Sequence, residues 1–291
     1  MKRFLTQLAV VIALGTTAGT AGTLAVFHTA AGELGVELFD HDKPVTVQNF
    51  LRYVQGGLYQ GVFFHRCIPG FVLQGGGYAA LNPSSTDPIG PPWTNLTQVP
   101  NLGPITNEFN VGPHDSNTYG TLAMAKLGGD PNSASSQWFF NLADNSANLD
   151  NQNGGFTVFG RVLWGTNVLN EFNTLSLGHN LVNLQDVYGA TNAIAGLFSD
   201  LPTYAAGTAA PPYSSLVYLS VSVTTVTVQR QTNGARLIAW NGFAGPTNIV
   251  EVSTNLVSWQ PLVRTNGVDQ PMSVTDASPP QLRQYYRVRF Q

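Results

Sequence analysis

The chain of 291 residues is short of cysteine and of charge, and each shortage excludes a class of protein. Its single cysteine, Cys67, cannot form an internal disulfide, so a small disulfide-stapled fold is excluded and the core must hold the structure. We expect Cys67 to be a buried packing thiol. Lys and Arg number 13 against 16 Asp and Glu, and they form no basic cluster. Nucleic-acid binding needs such a cluster, so we expect no nucleic-acid partner.

The sequence also lacks the residue spacings of a metal or cofactor site. The histidines His28, His41, His114 and His179 are scattered, with no ligand spacing and no Ser or Cys nucleophile motif beside them. The three glycines at 75–77 lack the Lys-Ser/Thr that follows in a phosphate-binding loop. We therefore expect no cofactor and no metal, and ordinary surface or core positions for these histidines.

Residues 1–22 have the pattern of a signal peptide. Lys2 and Arg3 are followed by a short apolar run at residues 8–14 and then by small residues, with Ala18 and Ala21 as candidate cleavage edges. The run is too short to span a bilayer comfortably, and no later segment has the length to do so. The pattern predicts an exported protein, periplasmic or secreted, with no membrane span in the mature chain. The alternative is a cytosolic protein with a frayed apolar start.

The most informative segment is FHRCIPGFVLQGGG at residues 64–77. Two further blocks lie downstream, GTLAMAK at 120–126 with SASSQWFFNL at 133–142, and NLD at 148–150 with FTVFGRV at 156–162. Upstream stand GVELF at 35–39, PVTVQNFL at 44–51 and YQGVFF at 59–64. In this order the blocks resemble the cyclophilins, the peptidyl-prolyl cis/trans isomerases, over about residues 24–228. The resemblance implies an isomerase of X-Pro bonds in Pro-containing polypeptides.

The resemblance assigns a role to each matched position. Arg66 falls at the catalytic arginine, whose N–H would stabilise the pyramidal prolyl nitrogen of the twisted imide. Gln74 would hydrogen-bond the substrate backbone, and Ala125 and Lys126 would offer backbone groups to the residue before proline. The remaining positions would form the apolar seat of the proline ring: Phe71, Val72, Phe139, Leu149 and the aromatic wall Phe156.

Four departures from the family pattern lie around this site. Val72 replaces a longer residue, often Met, and Phe156 stands where other members carry His or Tyr. Asn148 replaces the Trp of well-known eukaryotic members, which contacts the drug cyclosporin, and the loop at 151–155 is longer. None of these changes removes Arg66. Strand alternation places Arg66 on the face opposite His65 and Cys67.

Many short strands with few helices predict a mainly β fold and indicate a barrel, and the resemblance implies a closed antiparallel cyclophilin-like β-barrel with flanking helices. The spacing of the later strands predicts a small C-terminal β-sandwich as well. We expect the isomerase domain at 23–228 and the sandwich at 229–291. Two strands around a Gly-containing turn are predicted over 24–39, a helix over 45–53 ending at Gly56-Gly57, and a helix over 168–175. Strands are predicted over residues 63–73, 121–125, 137–142 and 216–223. The last of them resembles the final cyclophilin strand, which closes the barrel.

Other segments are predicted as irregular or as parts of the C-terminal unit. Residues 79–106 are rich in breakers and predict a loop, residues 141–153 a surface turn, and residues 205–212 a linker. Residues 181–198 favour no single structure. Short strands at 236–240, 249–253, 260–263, 272–276 and 285–290 have the spacing of a sandwich, with Trp240 and Trp259 in its core.

Two other functions stay open at this point. A cyclophilin-like barrel could grip Pro-containing segments without turnover, as a binding module. The C-terminal unit could instead set the role, as an adhesion or surface-attachment module. We expect a monomer.

Overall fold

The computed structural model describes residues 12–13, 23–175, 180–224, 226–241, 247–254, 258–268, 270–279, 281 and 284–290. The chain divides into two compact units, Val26–Ser222 and a second made of Met1–Ala25 with Val223–Gln291. Of the predicted signal peptide only Ile12–Ala13 (β1) is described, so its apolar run and its cleavage edges lie largely outside the described residues. The domain limits at 22 and 228 stay a prediction.

Most of the regular elements of the larger unit are short strands. The strands are Leu24–Thr29 (β2), Gly32–Leu38 (β3), Arg66–Ile68 (β4), Val72–Gly75 (β5), Tyr78–Ala80 (β6), Leu96–Gln98 (β7), Thr121–Met124 (β8), Trp138–Asn141 (β9), Val158–Trp164 (β10), Asn180–Val182 (β11), Leu201–Thr203 (β12) and Leu219–Thr224 (β13). The helices are Pro44–Gln55 (α1), Ser146–Leu149 (α2), Thr166–Thr174 (α3) and Leu184–Tyr188 (α4), with 3-10 turns at Ala195–Phe198 and Tyr213–Ser215. None of these helices has the length and apolarity that a bilayer crossing requires.

Eight strands form one curled sheet in the order β13-β2-β3-β10-β8-β9-β5-β4. Its two ends meet through irregular backbone beside the outermost strands. Phe64 N–H donates to Val217 O at 2.9 Å, and Leu219 N–H donates to Val62 O at 3.0 Å. These bonds join the segment at the start of β13 to the segment just before β4, which is at the other end of the sheet. The predicted barrel, closed near residues 216–223, is therefore confirmed.

Aromatic side chains fill the interior of the barrel. Trp138 is fully buried, and its ring contacts Phe27, Phe64 and Phe140 at centroid distances of 5.0, 6.0 and 5.7 Å. All three contacts are edge-to-face, a geometry worth about 0.5–1.5 kcal/mol for each pair beyond its buried area. The core therefore lies on the opposite side of β9 from the site residue Phe139.

Helix α1 confirms the predicted helix, and its Phe50 ring packs against Phe27 and Phe159 of the core. Pro44 occupies its first turn, and Val47, Phe50 and Tyr53 form its buried face. Its first N–H groups are satisfied by a carboxylate distant in sequence, because Glu108 accepts from Val45 N–H at 3.1 Å and from Thr46 N–H at 2.7 Å. The helix ends at Gly56, as predicted.

The structure corrects several predicted segments. The strand predicted over 63–73 is two strands, β4 and β5, joined by a turn at Pro69-Gly70. The loop predicted over 79–106 contributes a small sheet, since β6 pairs with β7. The turn predicted over 141–153 is not a surface feature throughout, because Asn141 and Asn145 are buried. The predicted linker at 205–212 ends inside the larger unit, where Pro211 O accepts from Ile89 N–H at 2.9 Å.

The second unit consists of two small antiparallel sheets, which agree with the predicted sandwich. Its strands are Thr227–Arg230 (β14), Arg236–Asn241 (β15), Thr247–Ser253 (β16), Gln260–Asn266 (β17), Pro271–Asp276 (β18) and Tyr285–Phe290 (β19), paired as β14-β15-β18 and β1-β19-β16-β17. Trp240 is buried, and its Nε1–H links the sheets by donating to Asn248 Oδ1 at 2.9 Å. Trp259, which we placed in the core as well, is only partly buried.

Candidate functional site

Strand register brings the principal site residues into one row. Arg66 on β4 pairs with Gln74 on β5, Gln74 pairs with Phe139 on β9, and Phe139 pairs with Ala123 on β8. Residues that pair directly across neighbouring strands present their side chains on the same face of a sheet. A cation, an amide and an aromatic ring therefore stand side by side on one face of the barrel wall.

Alternation along β4 separates this row from the core, as predicted. His65 is 3% exposed and Cys67 is fully buried, whereas the Arg66 side chain is 37% exposed. Burial, and next the charge of Arg66, lower the pKa of His65 to about 3, although a side-chain bond with Gln137 opposes the shift. Burial raises the pKa of the Cys67 thiol to about 12, with the Asp200 carboxylate adding to the effect. Arg66 thus presents its charge on one face of the strand, while His65, which is neutral, and Cys67, which is a protonated packing thiol, lie buried on the other face.

A cavity of about 200 Å³ opens beside this row. Its floor is apolar: Val72, Phe139 and Leu149 are buried and cluster with Ala123 and Val158. All nine residues predicted from the sequence line it, and one further residue, Gln152, joins them; the full set is Arg66, Phe71, Val72, Gln74, Ala125, Lys126, Phe139, Leu149, Gln152 and Phe156. Their individual roles stay predictions.

Sequence reasoning missed Gln152 because the residue lies in the longer loop and matches no family block. Its Nε2 donates to Asn148 Oδ1 at 2.7 Å. Asn148 itself is exposed and is not among the lining residues, so the position that carries Trp elsewhere fixes a lining glutamine here.

The turn between β4 and β5 presents Phe71 to the cavity. Phe71 N–H donates to Ile68 O at 2.9 Å, and Gly70 takes a positive φ of 72°, a conformation that glycine adopts without strain. Gly70 N–H also donates to Asn173 Oδ1 at 2.6 Å, which ties the turn to helix α3. Gly70 of the sequence motif is thus required by the turn that positions the ring.

A cluster of buried asparagines holds the backbone carbonyl of Phe71. Asn145 Nδ2 donates to Phe71 O at 2.8 Å and to Asn141 Oδ1 at 2.7 Å. Asn141 Nδ2 in turn donates to Asn117 Oδ1 at 3.1 Å and to Thr121 Oγ1 at 2.9 Å. These buried amides are satisfied by one another and by the backbone, which is the condition for a polar group to be stable in a core.

The same network reaches the opposite wall of the cavity. Asn117 Nδ2 donates to Phe156 O at 2.9 Å and to Asp150 Oδ1 at 2.8 Å. One chain of hydrogen bonds therefore runs from Phe71 O through Asn145, Asn141 and Asn117 to Phe156 O. It connects the backbone of two aromatic residues that line the cavity.

Lys126 secures the loop that carries Gln152 and Phe156. Its Nζ donates to Asn153 O at 2.7 Å and to Gly155 O at 2.6 Å, and it lies 4.7 Å from the centroid of the Phe156 ring. Burial lowers the pKa of Lys126 to about 8, although Asp130 opposes the shift. The sequence predicts that Lys126 offers backbone groups to the substrate. The structure shows in addition that its side chain holds the loop by bonding Asn153 O and Gly155 O.

Ala125 and Gln74 supply the remaining hydrogen-bonding groups of the cavity. Ala125 N–H already donates to Gln137 O at 3.0 Å, so the backbone group that Ala125 has to offer is its carbonyl. Gln74 Nε2 donates to Gln137 Oε1 at 2.8 Å, which orients the Gln74 amide. The site thus combines an apolar seat with a guanidinium and a fixed amide, and it holds hydrogen-bonding groups for an extended chain.

Comparison with known proteins identifies the family of this chain. The model of the family described as cyclophilin type peptidyl-prolyl cis-trans isomerase/CLD matches residues 24–188, and the chain belongs to this family. It is therefore a peptidyl-prolyl cis-trans isomerase of the cyclophilin type.

Curated relatives from three bacteria illustrate the similarity. A peptidyl-prolyl cis-trans isomerase of Acinetobacter baylyi is 37% identical over 152 residues, which are 52% of this chain and 72% of the relative. One from Streptomyces antibioticus is 37% identical over 177 residues, 58% of this chain and 96% of the relative. Peptidyl-prolyl cis-trans isomerase B of Escherichia coli is 36% identical over 168 residues, 56% of this chain and 92% of its own length.

A solved structure of a cyclophilin type peptidyl-prolyl cis-trans isomerase of Cryptosporidium parvum, in the presence of the dipeptide Ala-Pro, aligns with 69% of this chain and 98% of its own. Its sequence identity is 21% and its TM-score is 0.43.

Proposed function

We propose that the chain accelerates rotation about X-Pro bonds in polypeptides by stabilising the twisted imide with Arg66. The amide barrier to this rotation is about 18–20 kcal/mol, and crossing it breaks no bond. Such a reaction needs no nucleophile and no metal. It needs a seat for the ring, a grip on the neighbouring backbone and a donor close to the prolyl nitrogen.

The observation that carries the proposal is the row Arg66–Gln74–Phe139 above an apolar floor. With the proline ring against Phe139, the guanidinium of Arg66 lies on the same face of the sheet and can reach the imide. A planar imide nitrogen has little lone pair to accept a bond, whereas a pyramidal nitrogen accepts one well. The bond is therefore stronger in the transition state than in the ground state, which is the condition for catalysis.

A proline-peptide isomerisation assay tests this proposal. We expect Arg66→Ala to lower kcat/KM by about 10²–10³-fold, equivalent to roughly 2.7–4 kcal/mol, as for other donors that stabilise developing charge. The matched control is Arg161→Ala, because Arg161 is exposed and pairs with Glu37 at 2.8 Å away from the cavity. An Arg66→Ala protein that keeps half or more of the wild-type value would refute the mechanism.

The same assay separates catalysis from simple binding. A non-catalytic binding module would bind Pro-containing peptides in a direct titration, yet the unmodified protein would give no acceleration over the uncatalysed rate. Turnover by the wild type excludes that alternative.

We also propose that the clients are exported proteins. Lys2 and Arg3 before the apolar run support export, and the lack of a disulfide-forming cysteine pair is compatible with it. Fractionation of the native cell with mass spectrometry of the N-terminus tests this. Recovery from the envelope or the medium with cleavage near Ala18 or Ala21 is expected, and an uncleaved protein in the cytoplasm would contradict it.

A further inference from the structure

Asp200 is the acidic residue that faces Arg66. Its Oδ2 lies 3.8 Å from Arg66 Nε, and the two side chains are 35% and 37% exposed. Asp200 belongs to the segment between α4 and β12, beyond the last family block and beyond residue 188, where the family match ends. Neither the sequence motif nor the lining of the cavity includes it.

The backbone holds Asp200 at a fixed position beside β4. Asp200 O accepts from Cys67 N–H at 2.8 Å, so its main chain is bonded to the residue that follows Arg66. Phe198, two residues earlier, is fully buried and packs against Phe63 and Tyr78 at centroid distances of 6.1 and 5.0 Å. The carboxylate is therefore carried by an anchored stretch of chain.

A neighbouring hydroxyl fixes the carboxylate as well. Ser199 Oγ donates to Asp200 Oδ2 at 2.8 Å. The anion thus stands in a defined orientation before any substrate arrives. Groups that are pre-oriented in this way need no reorganisation when the substrate binds.

We propose that Asp200 is a positioning residue for Arg66, holding the guanidinium by its Nε side so that the terminal amino groups address the prolyl nitrogen. The inference rests on the proposed role of Arg66. The Arg66 side chain has several rotatable bonds, and a fixed anion on one side of the guanidinium reduces the number of its orientations. Asp200 acts through Arg66 and has no contact of its own with the substrate.

The test measures kcat and KM of the full chain on a Pro peptide. Asp200→Asn keeps the shape and removes the charge, and we expect kcat to fall about two- to fivefold, the range of a partly exposed ion pair. Asp200→Glu should recover part of this loss. Ser199→Ala should give a smaller fall in the same direction. The control Asp186→Asn removes an exposed carboxylate on α4 and should change nothing.

A double-mutant cycle separates positioning from a general structural effect. In the Arg66→Ala background, Asp200→Asn should cause no further fall. Sodium chloride at about 1 M, where the screening length is about 3 Å, should bring the wild type towards Asp200→Asn and leave that variant little changed. A local packing role would respond to neither manipulation.

Each outcome bears on one of the two proposals. If Arg66→Ala has no effect, the proposed function fails, and this inference fails with it. If Arg66→Ala has its expected effect but Asp200→Asn is unchanged or faster, only the positioning role is overturned. An equal fall from Asp200→Asn in both backgrounds also overturns it, because the residue would then act without Arg66.

Discussion

Arg66 and Gln74 lie directly opposite each other on the antiparallel strands β4 and β5, and both side chains line the same cavity. One group is a permanently charged donor, and the other is an amide whose orientation Gln137 sets. We expect the two groups to have different roles. Under the proposed mechanism the guanidinium would contact the nitrogen that changes its geometry, and the amide would hold backbone that does not change.

This division predicts different kinetic effects for the two residues. Gln74→Ala should raise KM by about two- to tenfold with kcat nearly unchanged, because a net hydrogen bond of about 0.5–1.5 kcal/mol would be lost equally from ground and transition states. Gln98→Ala is the matched control, since Gln98 is exposed on β7. Steady-state kinetics on a Pro peptide provide the check. A loss confined to kcat would mean that Gln74 contacts the reacting imide itself.

The buried asparagine network predicts a stability effect. Asn145→Ala removes one of two donors to Phe71 O, which keeps its bond from Leu142 N–H at 2.8 Å, and it removes the Asn145 donor from the buried Asn141 Oδ1. A buried acceptor left without its partner costs about 1–3 kcal/mol. Urea unfolding should show a loss of this size and a rise in KM, because Phe71 is held less firmly. Asn151→Ala, an exposed neighbour, should stay within about 0.5 kcal/mol. Equal stability of the two variants would show that the asparagine network does not stabilise the fold at Phe71.

The cavity lining was predictable because the resemblance to the cyclophilins assigns each of its nine predicted positions to a sequence block. Alternation along β4 is a local signal, and it correctly separates Arg66 from His65 and Cys67. The turn at Pro69-Gly70 was missed, because the apolar pattern over 63–73 predicts one continuous strand.

The residues that sequence reasoning missed depend on contacts between distant segments. Glu108 satisfies the start of α1 from 62 positions away in the chain. Asn141 and Asn145 have the composition of a surface turn, and their burial is stable because they bond to each other and to Phe71, Asn117 and Thr121. Asp200 meets Arg66 because its segment is bonded to Cys67. Neither periodicity nor local residue spacing predicts such contacts between distant segments.

Lys126 predicts a pH dependence with a definite sign. Its pKa is lowered from 10.5 to about 8 by burial. Below pH 8 the amine is charged in both the folded and the unfolded state, and the folded state carries the penalty of burying the charge. Between pH 8 and 10.5 the unfolded state binds more protons, so the contribution of Lys126 to stability rises with pH. Above that window the residue is neutral in both states.

The measurement compares urea unfolding of the wild type and of Lys126→Met at pH 7 and pH 9.5. The free energy of unfolding of the wild type should rise relative to the variant at the higher pH. Burial also lowers the pKa of Lys43, but that residue is present in both proteins and cancels in the difference. A difference that is constant with pH, or that moves against the wild type, would contradict the assignment.

The last prediction concerns the residues after the barrel. All ten lining residues lie within the unit Val26–Ser222, and β13, which completes the curled sheet, ends at Thr224. A cut near residue 228 would divide β14, which spans Thr227–Arg230 and pairs with β15. The informative cut therefore follows Thr224. We expect the shortened chain to keep kcat/KM within about tenfold of the full chain, since compact units of one chain have few crossing contacts.

Circular dichroism of the shortened protein shows whether the barrel is still folded. A folded barrel with a larger loss of kcat/KM would mean that the C-terminal unit completes the site, whereas an unchanged value would assign that unit to location or partner choice.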